Sequence, residues 1–309
     1  MNVHERFKDY NKPHCWQYEI RVQNKPEDLK NANMTEEESR ALKISDFKFD
    51  FVPKEDKEKC DEIKQFIKKH EWLGKMPIWI THRFTARLKK DNTLAGVIIM
   101  ATPNTFSNLL GKENKSLEKL ISRGACISWS PKNMGSWMIM SSIRWMVKNT
   151  EFRYFTAYSD PEAKELGTIY QSCNFTYLGQ SFGTGSQYLD PDNPDRGWFG
   201  DSGFSDRSQI VRYAKQLGIT WEKEWYKMVG AKKNYRKVNW KAIPKEVAAQ
   251  LKEERTKHKE RCSKRPSPSK HKYCYILGAS KSETKRFKKL FIENNPDKIN
   301  LAYPKKRGK

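Results

Sequence analysis

Residues 158–180, YSDPEAKELGTIYQSCNFTYLGQ, constrain the fold more than any other part of the chain. A strand-like run, FRYFTAYS, stops at Ser159-Asp160-Pro161. A helical patch, AKELGTIYQSCN, follows, and a second strand-like run, FTYLGQSFG, begins at Phe175. Strand, helix and strand in so short a span predict an α/β unit with parallel neighbouring strands. Ser159, Asp160, Pro161 and Glu162 match a capping box, with Ser159 at the cap and Glu162 three residues on.

The upstream pattern extends this unit. FKFDFV alternates apolar and polar residues, as a strand does. KEDKEKCDEIKQFIKKHEWL places Cys60, Ile63 and Ile67 on one helical face. ITHRFTARLK and TLAGVIIMATP read as strands joined by a hairpin at KKDN. LEKLISRGACISWS is extended, PKNMGS is a loop, and WMIMSSIRWMVKN is a buried helix. The predicted order, β-α-β-β-β-α-β-α-β, describes an α/β domain around a mixed sheet. Residues 1–45 read as a polar, mobile arm with a short helix. Residues 46–185 read as the core, with 186–206 a Gly/Pro/Asp-rich connection into a basic region that runs to 309.

Charge divides the chain in the same way. Of a net charge of +23, +18 falls between residues 231 and 309, where 25 Lys/Arg stand against 7 Asp/Glu. Such a density points to a polyanion, nucleic acid before an anionic membrane. Tyr235, Trp240, Tyr273, Tyr275, Phe287, Phe291 and Tyr303 interleave with it, which favours a folded surface over a solubilising tail. The residues expected to meet phosphates are Lys232, Lys233, Arg236, Lys237, Arg261, Lys264, Arg265, Lys270 and Lys272. Six cysteines without a CxxC pair predict a reducing, cytoplasmic setting. No apolar leader and no run of membrane-spanning length is present in the sequence, so no membrane partner is expected.

Together, LISRG, SPKNMGSWMIMSS, YSDPEAKELGTIYQSCNFTYLG, KHKYCYILG and the late YPK resemble the Mom-like DNA modification proteins of bacteriophages, within the GNAT (Gcn5-related N-acetyltransferase) superfamily. The likeness is dense from Leu120 to Gly179 and sparse in the tail. It implies a GNAT-like mixed, mostly antiparallel sheet flanked by helices, here with a basic C-terminal extension. It also implies a phage-encoded transferase, working in the bacterial cytoplasm, that adds a small group to the exocyclic amine of adenine in double-stranded DNA and so defeats host restriction. The family's functional Arg, Asp and Tyr fall on Arg123, Asp160 and Tyr170. The loop departs from the family's P-R/K-N-S/T-E-S form, since Gly135 stands in the acidic position.

Each candidate has a plain alternative. Lys132, Asn133, Gly135 and Ser136 begin a helix, whose N–H groups suit a phosphate or carboxylate; Asn133 or Ser136 could equally be a simple cap. Asp160, at the end of a strand, could bind an attacking amine or only cap a turn. Tyr170 could present its hydroxyl to a cleft or sit in the core. Arg123 could clamp an anion or lie in solvent. His82 could be a general base or structural. Trp129, Trp137 and Trp145 could stack a flipped base, which enzymes acting on duplex DNA must expose, although helix spacing also puts Trp145 in the core. The spacing His258-x3-Cys262…His271-x2-Cys274 invites a zinc reading. It is opposed by the basic intervening loop and by the strand-like alternation of His271-Lys-Tyr-Cys-Tyr, so no metal is expected. The donor stays open between acyl-CoA and a glycine-derived, carbamoylmethyl-like group. The other functions consistent with these residues are a conventional acyl-CoA-dependent N-acetyltransferase of a small amine or protein, an amino-acid transferase acting on a modified pyrimidine, and a non-catalytic DNA-binding protein.

Overall fold

The computed structural model of the 309-residue chain describes residues 6–7, 9–181, 185–229 and 235–305. They fall into two units, residues 10–181 with 269–309, and residues 1–9 with 182–268.

The larger unit is built on a seven-stranded sheet in the order β1-β2-β3-β4-β5-β12-β6. The strands are β1 (Phe47–Val52), β2 (Ile80–Leu88), β3 (Leu94–Ala101), β4 (Glu118–Cys126), β5 (Tyr154–Ser159), β6 (Thr176–Ser181) and β12 (Lys270–Ile276). Every neighbouring pair is antiparallel except β4–β5, which is parallel. The mostly antiparallel mixed sheet is therefore the one predicted. β3 lies inside it with all eight residues buried, which explains its unbroken apolar run. Helices α1 (Trp16–Asn31), α2 (Glu36–Ala41), α3 (Lys57–His70), α4 (Met134–Asn149), α5 (Thr168–Ser172) and α8 (Lys281–Asn294) complete the unit.

Periodicity explains the main layer contacts. Met138, Ser142 and Met146 recur every four residues on α4, beside Ile139, Ile143 and Val147, and all six are buried. Gly96 on β3 makes room for this helix, because a Cβ there would stand 2.3 Å from the sulfur of Met138. On α3, Ile63, Phe66, Ile67 and His70 are buried.

Two expectations about the termini are corrected. The N-terminal arm carries a 16-residue helix, α1, fixed to the core. Its Gln17 and Asn24 donate to the carbonyls of His70 and Lys69 at 2.7 and 2.9 Å, and Trp16 is buried edge-on to Trp72. The basic C-terminal region is not one appendage either. β12 inserts between β5 and β6 and pairs antiparallel with both, so the two strands predicted as parallel neighbours are separated by a third. α8 follows and buries Phe287 and Phe291 against Tyr154, Leu178 and Ile276. Each buried phenylalanine stabilises the fold by about 1.5–3 kcal/mol. The lysines of KRFKKLFIE occupy the outer face of a core helix, which is why charge alone mislabels it.

The smaller unit holds β7 (Ser186–Leu189), β8 (Phe199–Gly200) and β11 (Ser263–Pro266) in a three-stranded sheet, with a β9–β10 hairpin (Tyr226–Val229, Tyr235–Val238). Helices α6 (Arg207–Gln216) and α7 (Lys245–Arg261) pack through Ile210, Tyr213 and Leu251. Its first strands lie in the stretch expected as a connection, where Tyr188 and Phe204 are buried. No helix among the described residues is long and apolar enough to cross a membrane.

A chain ending at Pro268 is expected to lose an interior strand and the helix that covers it. It should show no cooperative unfolding transition of the larger unit in urea, monitored by tryptophan fluorescence; a native-like transition would show that β12 is dispensable.

Candidate active site

Pairing between β4 and β5 covers Glu118–Ile121 against Tyr154–Ala157 and goes no further. At that level β4 is bulged: Met100 faces Ile121 and Ile99 faces Arg123, so Ser122 is the extra residue. A bulge bends its strand and re-aims the side chains that follow. The paired end is held by Glu118, whose carboxylate accepts from the Thr156 hydroxyl at 2.7 Å and the Ser107 hydroxyl at 2.9 Å. Beyond Ile121 and Ala157 the two strands are no longer paired, and the candidate residues gather at that end.

α5 supplies the tyrosine. The chain turns through Lys164 and Gly167, both with positive φ, before the helix starts at Thr168. Glycine is required at 167, because a Cβ would lie 2.4 Å from the Tyr273 ring. Tyr170 rests on Phe175 and Tyr273, with centroids 5.4 and 5.5 Å away. Its phenol is held far above the usual tyrosine range, first by burial and then by the Glu165 carboxylate, while Arg123 opposes both. Tyr170 and Arg123 therefore lie close enough to interact electrostatically.

Glu165 is the carboxylate that sequence reading missed. It is half-buried, and its head group is closely surrounded. Burial raises its pKa to about 7, helped by the nearby carboxylates of Glu71 and Asp160. The Asp160 N–H, 3.4 Å from Oε2, and the Lys270 ammonium pull the other way. Glu71, at the end of α3, is also raised by burial, against the pull of the Arg123 guanidinium 3.8 Å away. Arg123 in turn donates from Nε to the Lys75 carbonyl at 3.0 Å and from Nη1 to the Ser122 carbonyl at 2.6 Å. Two carboxyls and one phenol are thus all biased toward their protonated forms; Arg123 opposes this at Glu71 and Tyr170, and Lys270 opposes it at Glu165. Only the position of Glu165 beside Gly167 hinted at it, since an isolated glutamate in a polar turn is usually solvated.

Asp160 lies at the same place with its oxygens already engaged. Oδ1 accepts from the Glu162 N–H at 3.0 Å, capping the short 3-10 turn Pro161–Ala163, and Oδ2 lies 3.5 Å from Lys270 Nζ. The cap is therefore Asp160, and Ser159 ends β5 instead of opening a capping box. His82 does not join the cluster. In β2, Arg83 is level with Ile99 and Arg123, and the alternation of the strand turns His82 to the opposite face. There it is ringed by Phe51, Phe84, Trp145 and Phe152. Burial, aided by the Lys119 charge, lowers its pKa to about 4. Trp129, Trp137 and Trp145 pack on Phe47, Phe49 and Phe51, so they serve the layer between α4 and β1.

The loop before α4 keeps its helix start open. Asn133 is the N-cap residue with φ +66°, and its side chain makes no capping bond; Ser136 donates to the Asn133 carbonyl at 3.0 Å. Lys132 is exposed. Gly135 allows Ile169 of α5 to approach, since a Cβ would lie 2.5 Å from its Cδ1. α1 fixes this loop from outside: Arg21 donates to the carbonyls of Ser128 and Ser130 at 2.9 and 2.8 Å. These two donors join residues more than 100 positions apart, and no local pattern announced them.

The expected phosphate contacts divide. Lys270 and Lys272 lie on β12 in the larger unit, where Lys270 faces Asp160 and Lys272 stands 5.6 Å over the Tyr158 ring. Arg236, Lys237, Arg261, Lys264 and Arg265 lie in the smaller unit. Arg265 holds Gln187 and stacks on Trp198, and Arg261 is near Asp192 and Glu254. Lys232 and Lys233 lie outside the described residues. The zinc spacing is likewise split between units, because His271 pairs with Tyr177 in the sheet and Cys274 is buried under α8.

No curated protein matches the chain in sequence. Among solved structures, a tandem GNAT protein from the clavulanic acid biosynthesis pathway shares 12% identity over 76% of this chain and 99% of its own, with a TM-score of 0.38. NAA60 of Arabidopsis thaliana shares 10% over 75% and 100%, with a TM-score of 0.34. The ribosomal-protein-S5-alanine acetyltransferase of Vibrio fischeri shares 14% over 33% of this chain and only about half, 52%, of its own, with a TM-score of 0.26. The family match is to the Mom protein family and covers residues 56–191, from the start of α3 through β7, a region that includes Arg123, Asp160, Glu165 and Tyr170: over that region the chain is similar to the Mom proteins.

Proposed function

We propose that the chain is a DNA-modifying transferase, with the exocyclic amine of adenine in double-stranded DNA as acceptor and a small acyl or glycine-derived, carbamoylmethyl-like group as cargo. The observation that carries this reading is Glu165, a cleft carboxylate with a pKa near neutrality, beside a phenol that stays protonated. An exocyclic amine is a weak nucleophile and must lose a proton as its new bond forms. A base with a pKa near the working pH suits that step. Glu165 takes the proton. Tyr170 keeps its own until the transfer, then donates it to the leaving group or hydrogen-bonds the cargo's oxygen. Arg123 orients Glu71 and places positive charge where negative charge develops. Asp160 serves as a positioning residue, since its backbone N–H and its contact with Lys270 hold the turn that carries Glu165. The Mom match supports DNA modification, and the +23 charge supports a polyanionic substrate.

The open start of α4 favours one second reading, a conventional acyl-CoA-dependent N-acetyltransferase. N–H groups without a side-chain cap suit a pyrophosphate. The two readings differ in acceptor, and both use Glu165 as base.

Mass spectrometry of nucleosides from cells expressing the chain is expected to show an adenine adduct whose mass identifies the cargo. Unmodified adenine throughout would overturn the DNA reading. Glu165→Gln and Tyr170→Phe should each slow single-turnover modification by about 10²–10³-fold while leaving DNA affinity within about twofold. Wild-type rates should rise with pH through an apparent pKa of about 7, a step that Glu165→Gln removes.

Stability follows with the opposite sign. A carboxyl whose folded pKa exceeds its unfolded value binds more protons when folded, so it costs stability as pH rises from about 4.5 to about 7. Relative to the parent chain, Glu165→Gln should gain about 1–2 kcal/mol between pH 5 and pH 8 in urea unfolding. An equal difference at both pH values would show that Glu165 is not so perturbed.

A further inference from the structure

Within the smaller unit, three buried side chains of different chemistry converge. Asp190 follows the last residue of β7, His258 lies in the last turn of α7, and Cys262 ends that helix before β11. Their exposures are 5%, 3% and 8%. One carboxylate oxygen, one ring nitrogen and the sulfur lie within 4.8 Å of one another. His258 Nε2 is 3.1 Å from Asp190 Oδ2.

We propose that Asp190, His258 and Cys262 bind one divalent cation of the zinc type, tying together β7, α7 and β11. Four properties point to it. A tetrahedral zinc site has metal–ligand distances of about 2.0–2.3 Å, so neighbouring ligand atoms sit roughly 3.3–3.8 Å apart, close to the spacing of these three, which lie within 4.8 Å of one another. The remaining polar atoms are oriented as ligands need. Tyr213 Oη lies 2.7 Å from His258 Nδ1, and the Asp192 N–H donates to Asp190 Oδ1 at 2.9 Å, which leaves Nε2 and Oδ2 as the atoms available for a metal. Charge balances, because a dication with one thiolate and one carboxylate is neutral, as a buried site requires. Sulfur, imidazole and carboxylate together select zinc over magnesium or calcium.

Binding forms a metal–sulfur bond, a metal–nitrogen bond and a metal–oxygen bond, and releases the Cys262 thiol proton to solvent. A water completes the tetrahedron. Tyr188, Phe204 and Cys262 form one apolar cluster, with Phe204 edge-on to His258 at 5.2 Å, so the shell around the ion is dry on that side. The residues belong to the smaller unit and join its β7, α7 and β11, so the proposed role of the ion is structural.

The test uses the full chain, purified without chelators or a metal-affinity tag. Elemental analysis should find about one zinc per chain. Cys262→Ser and His258→Gln should each lower this at least tenfold, while His271→Gln leaves it unchanged. Cobalt added to the chelator-stripped chain should give a thiolate-to-cobalt band in the near ultraviolet that Cys262→Ser lacks. A folded parent chain with neither zinc nor a cobalt band would overturn the proposal and leave a hydrogen-bonded Asp–His–Tyr chain. Zinc retained in both variants would overturn it equally. Should the variants fail to fold, the cobalt titration of the parent chain still decides.

Discussion

Four residues of parallel pairing hold β4 against β5, and the candidate site depends on their being only four. Below Ile121 and Ala157 the strands share a ladder secured by the buried Glu118. Above, a bulge at Ser122 shifts the register of β4, and its ladder with β5 ends. Where such a ladder ends, side chains carried by two strands can turn toward one space. Arg123 reaches it from β4, and the turn after β5 delivers Asp160 and Glu165. Were the ladder continued, these groups would lie along it, apart from one another.

The chemistry of the cleft comes from burial acting on acids. Glu71, Glu165 and Tyr170 are all shifted toward protonation because their head groups have left water; Arg123 only partly offsets the cost at Glu71 and Tyr170, and the Asp160 N–H and Lys270 only partly offset it at Glu165. That competition leaves Glu165 near neutrality, where a carboxyl can both take and return a proton. Asp160, at the centre of a turn with its oxygens committed to Glu162 and Lys270, organises the loop. The scaffold around the cleft is drawn from distant parts of the chain. α1 pins the loop before α4 through Arg21, and β12 props Tyr170 through Tyr273.

Much of this was legible locally. The alternation of β1, the hairpin of β2 and β3, the four-residue repeat of α4 and the strand–turn–helix around Asp160 follow from residue type and spacing alone. Arg123 and Tyr170 were paired only by the resemblance carried by LISRG and GTIYQSCNF, and the structure places them within electrostatic reach of each other. His82 misled because a strand alternates faces: one position along, Arg83 is level with Arg123, and His82 sits among aromatic rings. The basic tail misled for a related reason. Lysines on the outer face of α8 dominate its composition, while Phe287 and Phe291, two residues of fourteen, decide where it packs.

By itself, the sequence determined most of the strands and helices of the core between residues 46 and 181, because hydrophobic period, glycine and proline act over a few residues. It also set the net positive charge, which is additive and indifferent to fold. Only the tertiary structure decided that β12 enters between β5 and β6, that α1 holds the loop before α4, and that Glu165 sits near neutrality. Those outcomes depend on neighbours brought together from more than a hundred residues away, and on the water they exclude, and neither is written in any local pattern.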